Sequence, residues 1–112
     1  MLDAYIYDGL RSPFGRYVGA LATVRADDLV ATVMKALVEK HQLSADIFDE
    51  VLLGSANQAG EDSRNIARNA ALLAGLDVTT PGQTVNRLCA SGLSTVVDAA
   101  RSITCNEGDI IL

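Results

Sequence analysis

Short apolar runs alternate with stretches of helical periodicity along this chain, and that alternation limits its fold more than any other feature. AYIYDG (residues 4–9) is aromatic and β-branched and reads as a first strand. EVLLG (residues 50–54) is a brief apolar run that fits a buried strand, QTVN (residues 83–86) reads as a third, and DIIL (residues 109–112) as a fourth. Between them, Val30, Val33, Met34, Leu37 and Val38 keep the i, i+3, i+4 spacing of one helical stripe that begins at Ala26. Asp27 and Asp28 suit the positive N-terminal end of that helix, and Lys40 and His41 suit its C-terminal end. NIARNAALLAG (residues 65–75) predicts a short Ala-rich helix with Gly75 placed to end it. A third helix follows Cys89, with Leu93, Val96, Val97, Ala100 and Ile103 expected to form one buried face. Strand–helix alternation of this kind predicts an α/β layered fold with a largely parallel sheet.

At 112 residues the chain suffices for one small domain and not for two. Its 49% apolar content comes largely from Ala, Val, Leu and Ile, which implies a core of closely spaced elements. Nine Lys and Arg against 14 Asp and Glu leave a net charge of −5. An acidic balance argues against sequence-independent nucleic-acid binding, which needs a basic face to displace phosphate counterions. Every apolar run is cut by charge or Gly well short of a membrane span, so no membrane partner is expected. The N-terminus lacks a basic region followed by an apolar one and does not read as a signal peptide. Two cysteines are few for a secreted scaffold, and Cys89 and Cys105 fall at opposite ends of one predicted helix. At ~1.5 Å rise per residue they lie too far apart to bridge. A reduced, cytoplasmic setting is the expectation.

The stretch TVNRLCASGLSTVVDAAR (residues 84–101) holds the most chemistry. It puts Cys89 after a β-favouring run and at or just before the first turn of a helix, with the small residues Ala90, Ser91 and Gly92 beside it. Unpaired N–H groups and the positive end of the helix dipole favour a thiolate there, and the same N–H groups are candidate oxyanion donors. A strand, a sharp turn and a helix presenting a nucleophile form the nucleophile elbow of hydrolases, here with Cys in place of Ser. Free cysteine is also commonly a small buried hydrophobe, so position alone leaves both readings open. Cys105, at the other helix end, sits where the dipole disfavours a thiolate.

A nucleophilic cysteine needs a partner that handles its proton. His41 is the sole histidine, ends a helix after VEK, and reads as a solvated terminal residue rather than a base. Arg64, Arg68 and Arg87 are able to meet phosphates but are scattered through an acidic chain. RSPFG reads as a Pro/Gly loop with an anchoring aromatic, and SANQAGEDSRN (residues 55–65) as a solvated loop. There is no GxGxxG, no P-loop and no Cys/His cluster with metal spacing.

RSPFGRYVGAL, EVLLGSANQAGEDSRNIARNAALLAGL and TVNRLCASGLSTV, in that order and spacing, resemble the N-terminal portion of the thiolases, the acetyl-CoA acyltransferases. The resemblance covers essentially all 112 residues, with Ser12 where that family more often has Thr. It implies an incomplete thiolase-type N-terminal half spanning residues 1–112, without the inserted loop domain or the C-terminal half. It further implies that Cys89 attacks the 3-oxo carbon of a 3-oxoacyl-CoA and carries the acyl group as a thioester. Free CoA takes that group in the degradative direction, and an acetyl-CoA enolate attacks acetylated cysteine in the synthetic one. CoA is then a co-substrate, with no metal or redox cofactor, and the whole protein is a homodimer or homotetramer. The family's activating histidine, second acid/base cysteine and oxyanion asparagine lie beyond the matched region, so the 112 residues alone are expected to show no turnover. ANQAGEDSRNIAR is most similar to the loop of 3-oxoadipyl-CoA thiolases of aromatic catabolism and close bacterial acetyl-CoA acetyltransferases. Alternatives are a 3-oxoacyl synthase-type condensing enzyme, which also places a cysteine at such a turn, and a non-catalytic α/β interaction domain with Cys89 merely packed. The apolar run ending at Leu112 reads as an unfinished sheet edge, from which truncation and marginal solubility are expected.

Overall fold

A computed structural model describes residues 3–112. Helix α1 spans Ala26–Lys40, strand β1 Val51–Gly54, helix α2 Ile66–Leu73, strand β2 Gly82–Val85 and helix α3 Ser91–Thr104. β1 and β2 pair in parallel, with Val51 opposite Gly82 and Gly54 opposite Val85. The α/β class and the parallel sense of the sheet are as the alternation predicts.

Side chains alternate across a strand, and β1 uses both of its faces. Val51 joins Met34, Phe48, Ala67, Ala70, Ala71 and Leu76 in the core, with Leu53 packed against the same cluster. Leu52 points the other way, toward Thr95, Val96 and Ala99 of α3. Helix α2 therefore covers one face, with α1 packed against α2, and α3 covers the other. The alanines at positions 67, 70 and 71 are completely buried, which lets α2 lie close to the sheet and to α1. Asn65 caps α2 by accepting the Arg68 N–H at 3.3 Å, and its amide also donates to the Gly82 carbonyl at 2.6 Å. The helix ends at Gly75, whose φ of +83° allows Leu76 N–H to reach the Ala71 carbonyl at 3.0 Å.

Three expectations need correction. Residues 4–9 are not a strand: they run unpaired across the surface, with Tyr5, Ile6 and Tyr7 each more than 80% exposed. β-propensity requires a free sheet edge, and the edge of β1 opposite β2 is taken by residues 110–112. Asp49 N–H donates to the Ile110 carbonyl at 2.9 Å, Leu52 N–H to Leu112 at 2.8 Å, and Leu112 N–H to Glu50 at 3.1 Å. The second correction follows from the same bonds, because DIIL is a single parallel pairing of Ile111 with Glu50 rather than a regular strand.

The third correction concerns α3. Ser91, Ser94 and Thr95 are its buried residues, whereas Leu93 is 70% exposed and Val96 and Val97 are exposed as well. Small side chains win the sheet-facing side because the helix start lies directly over Gly54, where bulk does not fit. The buried hydroxyls cost little there, since Ser91 Oγ donates to the Leu88 carbonyl and Thr95 Oγ1 to Gly92.

Candidate functional site

Cys89 lies in the turn between β2 and α3, ahead of the capping residue Ala90, and it is exposed to solvent. Val85 ends β2 by accepting the Ser55 N–H at 3.0 Å, so the chain leaves the sheet beside the loop that follows β1. It then reverses through Leu88, which has a φ of +51°. A left-handed non-glycine residue is strained by ~1–2 kcal/mol. That conformation is held on both sides. Asn86 Oδ1 accepts the Leu88 N–H at 2.9 Å, and Ser91 Oγ donates to the Leu88 carbonyl at 2.6 Å. Ser91 Oγ also accepts the Arg87 N–H at 2.9 Å, and Asn86 Nδ2 donates to the Ala56 carbonyl at 3.1 Å.

The result is a sharp strand-to-helix elbow with its thiol outward. Among the described residues, the N–H groups of Cys89, Gly92 and Leu93 donate no hydrogen bond. They lie at the positive end of a 14-residue helix, where negative charge is favoured, and the Gly92 nitrogen is the one turned toward Gly54. Gly54 supports this arrangement from below, in close contact with the backbone of Ser91 and Gly92.

The loop after β1 is organised by one carboxylate. Asp62 accepts the Gln58 N–H at 2.8 Å, the Gly60 N–H at 3.1 Å and the Ser55 hydroxyl at 3.3 Å. The Gly60 and Gln58 N–H groups hold its carboxyl below the ordinary aspartate range. SANQAGEDSRN is thus an ordered loop that meets the Cys89 turn through Asn86.

The structure sorts the remaining candidates. His41 is not the solvated terminal residue expected. Its ring is about three-quarters buried, hydrogen-bonded to Asp8 and edge-on to Tyr7 with ring centroids 5.1 Å apart. Asp8 also pairs with Lys40 at 2.7 Å, and Lys40 and then His41 hold its carboxyl well below the usual range. No contact brings His41 to Cys89 among the described residues. Arg68 is committed to the carbonyls of Val78 and Thr80. Arg64 is exposed, while Arg87 and Arg101 flank a shallow 180 Å³ hollow next to the cysteine, floored by Ala90, Leu93, Ser94 and Val97. Cys105, exposed and free, ends α3 far from this turn in sequence. A larger apolar cavity of about 560 Å³ opens between residues 3–8, α3 and Leu112, and Cys89 is not part of its lining. No group of three or more His, Cys, Asp or Glu able to hold a metal ion occurs among the described residues.

Asn86, Ser91 and Gly54 are the residues that sequence reasoning left without a role. The available signal was an Asn two residues before a turn and a Ser at a helix start, both frequent backbone-bonding positions.

The thiolase N-terminal domain family matches residues 4–112. The chain is 52% identical over 113 aligned positions to the 3-oxoadipyl-CoA/3-oxo-5,6-dehydrosuberyl-CoA thiolase of Escherichia coli (strain K12). It is 54% identical to the beta-ketoadipyl-CoA thiolase of Pseudomonas knackmussii over 98% of its length. It is 43% identical over the same share to the 3-ketoacyl-CoA thiolase of Acinetobacter baumannii (strain AYE). The chain spans 28% of the length of each of these relatives. With a match across nearly every residue and this identity to several thiolases, the chain belongs to the thiolase family, to whose N-terminal domain it corresponds.

Proposed function

We propose that these residues form the N-terminal part of a thiolase that transfers acyl groups between CoA thioesters, with Cys89 as the acyl carrier. The observation that carries the reading is the exposed thiol at the start of α3, near three N–H groups that are unpaired among the described residues. In the degradative direction the Cys89 thiolate attacks the 3-oxo carbon of a 3-oxoacyl-CoA. The bond between C2 and C3 breaks, and its electron pair leaves as the enolate of acetyl-CoA, which takes up a proton. The acyl group remains on sulfur as a thioester until the thiol of CoA attacks it, releasing acyl-CoA and the cysteine. The reverse sequence forms a carbon–carbon bond. In either direction the tetrahedral oxyanion needs donors, and the N–H groups at the elbow suit that task.

The relatives named for 3-oxoadipyl-CoA and beta-ketoadipyl-CoA support a dicarboxylic 3-oxoacyl-CoA as substrate. Similarity to thiolases across the chain favours this reading over a 3-oxoacyl synthase-type enzyme or a non-catalytic interaction domain. His41 pairs with Asp8 and makes no contact with Cys89 among the described residues. The base that deprotonates Cys89 is therefore assigned to a part of the protein other than residues 3–112. CoA serves as co-substrate without a metal or redox cofactor, in a cytoplasmic homodimer or homotetramer. No helix among the described residues is long and apolar enough to cross a membrane.

The test is brief exposure of the full-length protein to acetyl-CoA, followed by mass spectrometry of its peptides. An acetyl group on the peptide containing Cys89, absent from Cys89→Ala, is the expected result. Acylation at another residue, or none, overturns the assignment.

A further inference from the structure

We propose that Asn86 is a positioning residue for the acyl transfer, acting on Cys89 through the strained backbone of Leu88. The inference rests on the reading of Cys89 as acyl carrier and adds a residue to it. Asn86 is exposed and contributes nothing to the core, yet both ends of its side chain are used. Its Oδ1 accepts the Leu88 N–H at 2.9 Å, and its Nδ2 donates to the Ala56 carbonyl at 3.1 Å. One side chain thus joins the residue before the thiol to the loop that Asp62 orders.

Leu88 explains why such a clamp is needed. Its φ of +51° is one that an L-residue with a branched side chain adopts only when its surroundings enforce it. Its side chain is 70% exposed, so no packing supplies that enforcement. Its own peptide groups do instead, the N–H held by Asn86 and the carbonyl by Ser91. Ser91 is buried and belongs to α3, so its bond also serves the helix start. Asn86 is the arm specific to the elbow. If it is removed, the Leu88 N–H loses its hold while the carbonyl keeps that of Ser91. The strained φ then relaxes toward negative values, which turns the following peptide and displaces the Cys89 sulfur and N–H. Catalysis is sensitive to displacement on that scale, since a 1 Å misplacement costs on the order of 100-fold in rate.

The test uses the full-length protein and four variants: Asn86→Ala, Asn86→Asp, Leu88→Gly, expected to keep a near wild-type kcat, and the double variant Asn86→Ala/Leu88→Gly. Glycine adopts positive φ without strain, so it removes the need for the clamp. Expected for Asn86→Ala is a ~10- to 100-fold lower kcat with KM for acyl-CoA within about twofold and an unchanged melting temperature. Iodoacetamide alkylation of Cys89 should show a correspondingly altered rate across pH. Asn86→Asp keeps the acceptor for Leu88 and loses the donor to Ala56, so its kcat should fall between those of wild type and Asn86→Ala. The double variant should recover several-fold of the lost kcat.

A kcat for Asn86→Ala within twofold of wild type overturns the proposal. So does a loss that Leu88→Gly does not relieve, because the effect then does not pass through Leu88. Should Asn86→Ala fold poorly, the order of kcat among Asn86→Asp, Leu88→Gly and wild type decides. A normal rate in Asn86→Asp together with a reduced one in Leu88→Gly runs against it. Wild-type protein acylated elsewhere than Cys89 refutes the parent reading, whatever the Asn86 variants do. Acylation at Cys89 with indifferent Asn86 variants refutes only the positioning role.

Discussion

A Cβ placed on Gly54 would stand 2.5 Å from the Gly92 nitrogen and 2.8 Å from the Ser91 carbonyl oxygen. The end of β1 and the start of α3 are therefore in backbone contact directly beneath the elbow that carries Cys89. Both atoms belong to the main chain, so no side chain is able to turn aside and make room.

Gly54→Ala should lift the first turn of α3 off the sheet. Overpacking of this kind costs about 1–3 kcal/mol. The expected outcome is a lower denaturation midpoint together with a changed alkylation rate at Cys89, measured on the same protein. A substitution absorbed without change in either would mean that α3 has room to shift.

Ser91→Ala removes a hydroxyl that accepts the Arg87 N–H and donates to the Leu88 carbonyl in a residue only 5% exposed. Losing a part-buried hydrogen bond to the Arg87 N–H costs about 0.5–1.5 kcal/mol. Chemical denaturation should show that loss in Ser91→Ala. Ser91→Thr, which keeps the hydroxyl, should recover part of it if the added methyl fits. Equal stability of Ser91→Ala and wild type would show that water replaces the hydroxyl.

Much of this was legible in the sequence because helical periodicity and small-residue turns are local. The Val30 to Val38 stripe, the Ala-rich α2 with Gly75 after it, and the position of Cys89 ahead of α3 all appear as expected. What failed depends on partners distant in the chain. Residues 4–9 have the composition of a strand, but the edge of β1 they would need is occupied by residues 110–112. For α3, spacing showed that Leu93, Val96 and Val97 share a face without showing which face meets the sheet. Gly54 decides that, 37 positions before Ser91 in the chain, by excluding bulk. Leu88 gave no sign of its left-handed backbone, because neither Gly nor Asn marks the position. The roles of Asn86 and Ser91 were hidden with it.

Asp62 gives the loop after β1 a dependence on acid. Its folded carboxyl lies below the ordinary range, chiefly through the Gly60 and Gln58 N–H groups. A lowered folded value means the carboxylate adds stability above the unfolded aspartate pKa of ~3.9, and loses it as pH falls through the folded value. Hydrogen exchange at the Gln58 and Gly60 amides should therefore lose protection, relative to global stability, below about pH 4. Asp62→Asn should show weak protection with no such step. Protection in wild type that stays constant through that range would remove Asp62 as the organiser of the loop.

Glu50 carries the opposite sign. Its carboxyl is raised above the ordinary range, first by burial beside β1 and then by the charge of Glu107. Well below the unfolded glutamate pKa of ~4.3 it is protonated whether the chain is folded or not, and it costs nothing. As pH rises through that value the unfolded chain ionises first, so the folded state loses stability relative to it. The loss is complete above the folded pKa and persists at neutral pH. Glu50→Gln should consequently melt at a higher temperature than wild type at pH 7, with the difference shrinking toward zero near pH 3. Glu107→Gln should move the melting temperature in the same direction by less, since Glu107 is the smaller of the two causes. Melting curves for the three proteins across that pH range distinguish this from a simple packing effect, which would shift Glu50→Gln equally at both ends. A Glu50→Gln protein less stable than wild type at pH 7 would show that the carboxylate contributes a favourable contact that outweighs its burial.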